Sequence, residues 1–303
     1  MKIGRLISTV LFVSIISLII VFRNDLVKLY LDILNVYEKE IKITEKNKYY
    51  RNIDFVYVQN TNNFIPENKQ DILNIYYTVV NSGLEEFSFY CNDKKYATCL
   101  DDVRYIASNQ ITLSHINNFV HPFNSFSHIE TIYDSIGNIK LQIKKNYSNK
   151  KITTIENKVQ EIMNQLIKDD MNNETKIKII HDYIINNTRY DNNRSDHNII
   201  KYDSDTAYGP LIEGYGLCGG YSDAMMIFLI NFGINNYKIA SDNHVWNYIY
   251  NNNDWYHLDL TWDDPITTNG TDVLEYNFFL ITTLELEEIN DAQHVYDKII
   301  YQQ

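Results

Sequence analysis

Cys218 lies in the run Gly214-Tyr215-Gly216-Leu217-Cys218-Gly219-Gly220-Tyr221, directly ahead of an apolar, helix-like stretch from Ala224 to Phe232. A thiol at a helix N-terminus meets the positive end of the dipole and free N–H groups, and both favour the nucleophilic thiolate. The flanking glycines permit a tight backbone and the close approach of another group. A lone cysteine is more often an inert core residue, so the glycines and the helix start carry the argument for reactivity. A base and a carboxylate follow: His244 in Asp242-Asn243-His244-Val245-Trp246-Asn247, and Asp259 in Trp255-Tyr256-His257-Leu258-Asp259-Leu260-Thr261-Trp262. Between them Asn251-Asn252-Asn253-Asp254 is a turn signal separating two aromatic-rich strands. A two-residue loop at Asn251 and Asn252 sets His244 directly opposite Asp259. A four-residue loop over 251–254 sets Trp246 opposite Asp259 and leaves His244 on the same face, one diagonal away. Only an odd loop separates the two. A thiolate, an imidazole and an orienting carboxylate are the parts of nucleophilic acyl transfer.

Other constellations compete for the same residues. Cys218, His244, His257 and Asp259 have zinc-ligand chemistry, but a single Cys between glycines and no Cys-x-x-Cys argue against it. Asp191, Asn193 and Ser195 imitate the start of a calcium loop, yet Asp196 and Tyr202 stand where Gly and Glu are needed. No metal or cofactor is therefore expected. Asp263 and Asp264 before Pro265 read as a turn and cap. Of Trp246, Trp255 and Trp262, core packing is expected for at least two, ahead of a substrate cleft.

The elements that must position these residues can be traced backwards. Thr153 with Glu156 forms a capping-box pattern before an amphipathic stripe of Ile155, Val159, Ile162, Met163, Leu166 and Ile167. A second helix carries Ile177, Ile180 and Ile184, and a polar loop runs to about Thr206. Upstream, 50–150 reads as a mixed α and β region. Ile72, Ile75, Tyr76, Val79 and Val80 mark a helix ending near Gly83. Phe87, Phe89 and Cys91 alternate as a strand, as do Ile139, Leu141 and Ile143. Asn92-Asp93-Lys94-Lys95 reads as a hairpin turn, which would bring Cys91 and Cys99 within disulfide reach and leave Cys218 as the free thiol, the alternative being that Cys91 and Cys99 are ordinary small core residues. Before that, Leu6 to Phe22 is an uncharged apolar run, roughly 25 Å long as a helix. It is followed by an amphipathic stretch with Leu26, Leu29, Ile33 and Val36. The expected organisation is a transmembrane signal anchor over 1–24, a helical stalk over 25–49, an α+β domain over 50–150 and a catalytic domain over 151–303. The expected location is the cell membrane, single-pass through residues 6–22, with the catalytic domain extracellular. A net charge of −12 without a basic run excludes nucleic acid as an expected partner.

GYGLCGGYSDA, then NHVWNYI, then WYHLDLTWDDP resemble the transglutaminase-like superfamily, whose papain-like core carries Cys, His and Asp in that order. KIIHDYIINNTRYD and AYGPLIEG resemble the helix and loop before the Cys in bacterial members, and YNFFLIT followed by His294 resembles the segment after the Asp. The resemblance covers about 150–303. It implies an α+β fold with a Cys-bearing helix packed on an antiparallel sheet bearing His and Asp. It also implies Cys218 as nucleophile, His244 as general base and acid, and Asp259 as orienter. Cys218 N–H is the first oxyanion donor, with Tyr208 or Tyr215 as candidates for the second. The superfamily includes transamidases, peptide hydrolases, peptide N-glycanases and inactive scaffolds, and the calcium sites of animal transglutaminases have no counterpart here. The expected function is thiol-dependent acyl transfer on protein or peptide amides, with a catalytically silent envelope scaffold as the alternative.

Overall fold

The computed structural model describes residues 2–33, 41–265 and 273–302. It opens with two helices, α1 (Lys2–Val21) and α2 (Arg23–Ile33). Along α1 the apolar side chains from Leu11 to Val21 are exposed, Val21 to 74%. Among the described residues no helix is long and apolar enough to cross a membrane. The expected single-span anchor therefore has no support from the fold. The expected stalk is helical as far as Ile33, 34–40 lie outside the described residues, and 41–47 carry no helix. Ile41 and Ile43 pack instead against the body of the protein.

The region from 50 onward forms around α3 (Lys69–Asn81), where Asn68 caps the helix by accepting from Asp71 N at 3.0 Å. Gly83, at φ +76°, turns the chain out of the helix. A three-stranded antiparallel sheet is ordered β1–β3–β2, from β1 (Glu86–Tyr90), β2 (Phe126–Tyr133) and β3 (Asn138–Lys145). Phe89 pairs with Ile139 and Phe87 with Leu141. The true hairpin is thus β2–β3, and the Asn92–Lys95 segment makes no hairpin. It leads into α4 (Cys99–Ser108), followed by α5 (Gln110–Ile116). Cys91 and Cys99 are nevertheless joined as a disulfide, with Cα atoms 5.7 Å apart, because the turn folds the helix start back onto the strand end.

The later half starts with α6 (Asn149–Leu166) and α7 (Asn173–Asn187). Ser148, not Thr153, caps α6, a turn earlier than the capping-box pattern predicts. Next come β4 (Arg189–Tyr190), α8 (Asn192–His197), a short π-helical turn over Gly209–Glu213, and β5 (Tyr215–Gly216), which pairs in parallel with β4. The central helix α9 (Cys218–Asn231) is buried on every side from Gly220 to Leu229, as its largely apolar sequence demands. A four-stranded sheet follows in sequence order: β6 (Asn236–Ala240), β7 (Val245–Asn251), β8 (Asp254–Leu258) and β9 (Phe279–Ile281), followed by α10 (Thr283–Ile289). Both faces of that sheet are covered. Ile249 and Leu258 share a core with α6, α7 and α9, while Ile239, Trp246 and Tyr248 join a core built by residues 55–143.

Candidate active site

Cys218 is the first residue of α9 and half-buried, and no side chain caps that helix end. The neighbouring glycines answer to a loop pressed against them. A Cβ on Gly220 would lie 2.2 Å from Ser204 O, and one on Gly219 would lie 2.9 Å from Asp205 O. Leu217 N donates to Ser204 O at 2.8 Å, tying the same loop to the residue before the thiol. Deeper along α9, Asp223 pairs with Lys238 of β6 at 2.5 Å and accepts from Tyr147 Oη at 2.6 Å. Tyr147 Oη in turn accepts from Ala207 N at 2.7 Å. This buried network clamps the helix, the sheet and the 204–207 loop together, so the position of Cys218 is set from three sides.

The β7–β8 turn is formed by Asn252 and Asn253, both with positive φ, a conformation that Asn tolerates. Asn247 then faces Leu258, the register that places Trp246 level with Asp259. His244 is one residue before β7 and Asp259 one residue after β8, so both sit at the same end of the strand pair. His244 Nε2 is 2.5 Å from Asp259 Oδ2, and the imidazole also interacts with the Cys218 thiol. The structure therefore brings all three expected residues together.

Asp259 is 1% exposed and fully engaged. Its Oδ1 accepts from Thr261 N at 3.0 Å and Trp262 N at 3.4 Å. Its Oδ2 takes a second imidazole, His294 Nε2, at 3.0 Å. His294 Nδ1 lies 3.1 Å from Asp291 Oδ1, and its ring stacks on Phe278 at 4.7 Å. Sequence reasoning attached His294 to the segment after the Asp but gave it no role. Burial disfavours a charge on His244, but the carboxylate of Asp259, its hydrogen bond and the contact with Cys218 outweigh that and push the imidazole pKa up to about 10. Burial likewise opposes ionisation of Asp259, yet its two histidines hold the carboxyl well below the usual carboxylate range.

His244, Asp259 and His294 offer ligand atoms within 4.8 Å of one another. Those atoms are already spent on each other, because Asp259 Oδ2 holds both imidazoles. His257, included in the zinc reading, lies elsewhere: Nδ1 accepts from Trp246 Nε1 at 3.0 Å and Nε2 contacts Thr283 Oγ1 at 3.1 Å. Burial, with His294 nearby, pushes it down to about 3. Asp191 caps α8 and accepts from Ser204 Oγ, which accounts for it without calcium. Asp263 and Asp264 do more than turn and cap. The buried Asp263 accepts from Phe278 N at 2.9 Å and pairs with His181 Nε2 of α7 at 3.1 Å. Asp264 accepts from Tyr221 Oη of α9. The oxyanion candidates are engaged in other contacts. Tyr215 stacks on Tyr202 with ring centroids 4.0 Å apart, and Lys151 sits over Tyr208 at 5.5 Å. Trp246 is a core residue, and Trp255 and Trp262 pack against the same core while half-exposed.

Residues 160–260 match the family model of the transglutaminase-like superfamily. No curated protein matches the chain. Among solved structures, one described as a TGase shares 14% identity over 45% of this chain and 45% of its own, with a TM-score of 0.34. Another, described as a candidate cysteine protease from Cytophaga hutchinsonii, shares 12% identity over 48% of this chain and 65% of its own, with a TM-score of 0.28. The chain thus spans less than two thirds of each.

Proposed function

We propose that this protein is a thiol-dependent acyl-transfer enzyme acting on amide bonds of proteins or peptides, with Cys218 as nucleophile, His244 as general base and acid, and Asp259 as orienter. The carrying observation is the meeting of Cys218, at an uncapped helix N-terminus, with an imidazole that interacts with the thiol and lies 2.5 Å from the buried Asp259 carboxylate. His244 holds the proton given up by the thiol while sulfur attacks the carbonyl carbon, and the C=O electron pair moves onto oxygen beside the Cys218 N–H. Collapse breaks the C–N bond while His244 returns the proton to the departing amine. The thioester is then attacked by water, giving hydrolysis, or by an amine such as a lysine side chain, giving transamidation. Either acceptor loses its proton to His244, and the thiol is released.

The proposal includes attachment to the cell membrane through residues 6–22 with the catalytic half outside. The exposed apolar side chains of Leu11 to Phe22 favour it, since such a surface is costly in water. The Cys91–Cys99 disulfide favours an oxidising compartment. Incubation of envelope proteins with wild type and with Cys218→Ala, followed by mass spectrometry, tests the chemistry. New cleavage, deamidation or lysine cross-link products confined to wild type are expected, and identical products from both proteins would refute the nucleophile. Alkaline extraction of cell membranes tests attachment. The full chain should stay in the pellet and a chain lacking 1–24 in the supernatant.

A further inference from the structure

At the opposite end of α9 from Cys218 lies a cavity of about 320 Å³ between residues 48–51, 121–123, α6 and the last turn of α9. Two of its lining side chains are over nine-tenths buried and leave donors unused. Arg51 is 6% exposed and donates to Phe119 O at 2.9 Å and to Asn236 O, so two of its five N–H groups are spent. Among the described residues no carboxylate comes within ion-pair distance of it. Burial without a counter-charge accordingly pulls the guanidinium down to about 10. His121 is 5% exposed, and its Nδ1 accepts from Phe123 N at 3.1 Å, so the proton is on Nε2. That N–H has no protein acceptor among the described residues. The other charges lining the cavity cancel, because Glu156 pairs with Lys48 at 2.6 Å. Tyr49, Phe123, Val159, Ile227 and Ile230 supply aromatic and aliphatic wall.

A desolvated cation facing an empty space costs free energy that an anion in that space would offset. We propose that the cavity is a binding site for a small organic carboxylate, whose oxygens take the free N–H groups of Arg51 and His121 and whose apolar body lies against the aromatic and aliphatic wall. The carbonyl end of α9 opposes an anion there, but a helix terminus contributes less than a directly bonded guanidinium. The size suits a ligand of metabolite dimensions rather than a polypeptide segment.

The test uses the full chain in neutral detergent, with benzoate as probe and sodium chloride at matched ionic strength as control. Benzoate should raise Tm saturably beyond chloride, and calorimetric titration should return one site per chain. Arg51→Met should abolish the shift. Because Arg51 also holds two main-chain carbonyls, Gln160→Trp gives an independent reading: it fills the mouth from an exposed position on α6 and should lose the shift while keeping the fold. Inorganic phosphate run in parallel separates carboxylate from phosphate ligands. No saturable response to benzoate, a response equal to that of chloride, a stronger response to phosphate, or a full benzoate response in Gln160→Trp would each overturn the proposal.

Discussion

Asp259→Asn is the substitution that most directly probes the proposed chemistry, because four donors converge on this carboxylate: two imidazoles on Oδ2 and two backbone N–H groups on Oδ1. An amide has one acceptor oxygen, so its NH₂ must face one set of donors. The backbone N–H groups are fixed, whereas an imidazole can move its proton. The amide oxygen therefore turns to Thr261 and Trp262, and the NH₂ donates to His244 Nε2. That leaves the His244 proton on Nδ1, pointing at the sulfur whose proton it must accept. Loss of charge compounds the tautomer error. Moving the His244 pKa from 6.5 to about 10 spans about 3.5 decades, roughly 5 kcal/mol at about 1.4 kcal/mol per decade. Part of this comes from Cys218, so the Asp259 share is smaller. The tautomer error alone is worth about 10⁴ in turnover in serine triads. We expect Asp259→Asn to slow thiol alkylation by iodoacetamide at pH 7 and to reduce turnover by roughly 10³–10⁴. In NMR titrations His244 should keep its proton to near pH 10 in wild type and lose it at lower pH in the variant. The same coupling appears in stability. A raised base pKa contributes fully below pH 6.5 and is lost as pH rises through about 10, so wild type should weaken over that window and the variant much less. Turnover within tenfold of wild type, with His244 still titrating near pH 10, would refute the reasoning.

Lys238→Met leaves Asp223 buried without its cation and should cost about 3–5 kcal/mol in urea unfolding; a loss below about 1 kcal/mol would mean that the pair is not desolvated. Gly220→Ala drives a Cβ into Ser204 O and should displace the α9 start, slowing Cys218 alkylation. Gly233→Ala, with nothing within 4 Å and φ +71°, should cost only about 1 kcal/mol and leave alkylation unchanged. Equal alkylation rates for the two alanine variants would undo the close-approach argument. His121 and His257 are each pushed down to about 3 by burial, so below pH 6.5 the unfolded chain binds protons that the folded chain refuses. Stability should fall as pH drops from 6.5 toward 3, with unfolding near pH 5 taking up about two protons; uptake below one would contradict neutral buried imidazoles.

What could be read from the sequence follows how local its causes are. The α3 helix with its stop at Gly83 and the alternating strands 86–90 and 138–145 are written in side-chain periodicity over a few residues, and the Cys218 helix in an apolar run behind a glycine-flanked thiol. The meeting of His244 with Asp259 was legible for a related reason: two strands joined by a short Asn-rich turn have few registers, and both even registers keep the pair on one face. The hairpin expected at 92–95 failed because the turn chemistry was right but the partner was not. β1 pairs with β3, some fifty positions away, and the chain after the turn enters a helix. The disulfide formed nonetheless, since a tight turn satisfies its distance requirement whether a strand or a helix follows.

The second imidazole and the buried acids were illegible for a physical reason that also bears on how the site works. His294 reaches Asp259 from a short 3₁₀ turn beyond α10, where no periodicity fixes direction. Asp263 and Asp264 resemble an ordinary acidic turn until α7 and α9 bring His181 and Tyr221 to them. In each case a group unremarkable in sequence becomes committed only when three or more elements close around it. The network that holds the site is therefore a product of tertiary packing. The proposed triad residues announce themselves locally, while their rigidity is a property of the whole α9 neighbourhood. A variant at His294, Asp264 or Lys238 should accordingly disturb the placement of Cys218 or His244 without touching either, as packing-dependent networks require.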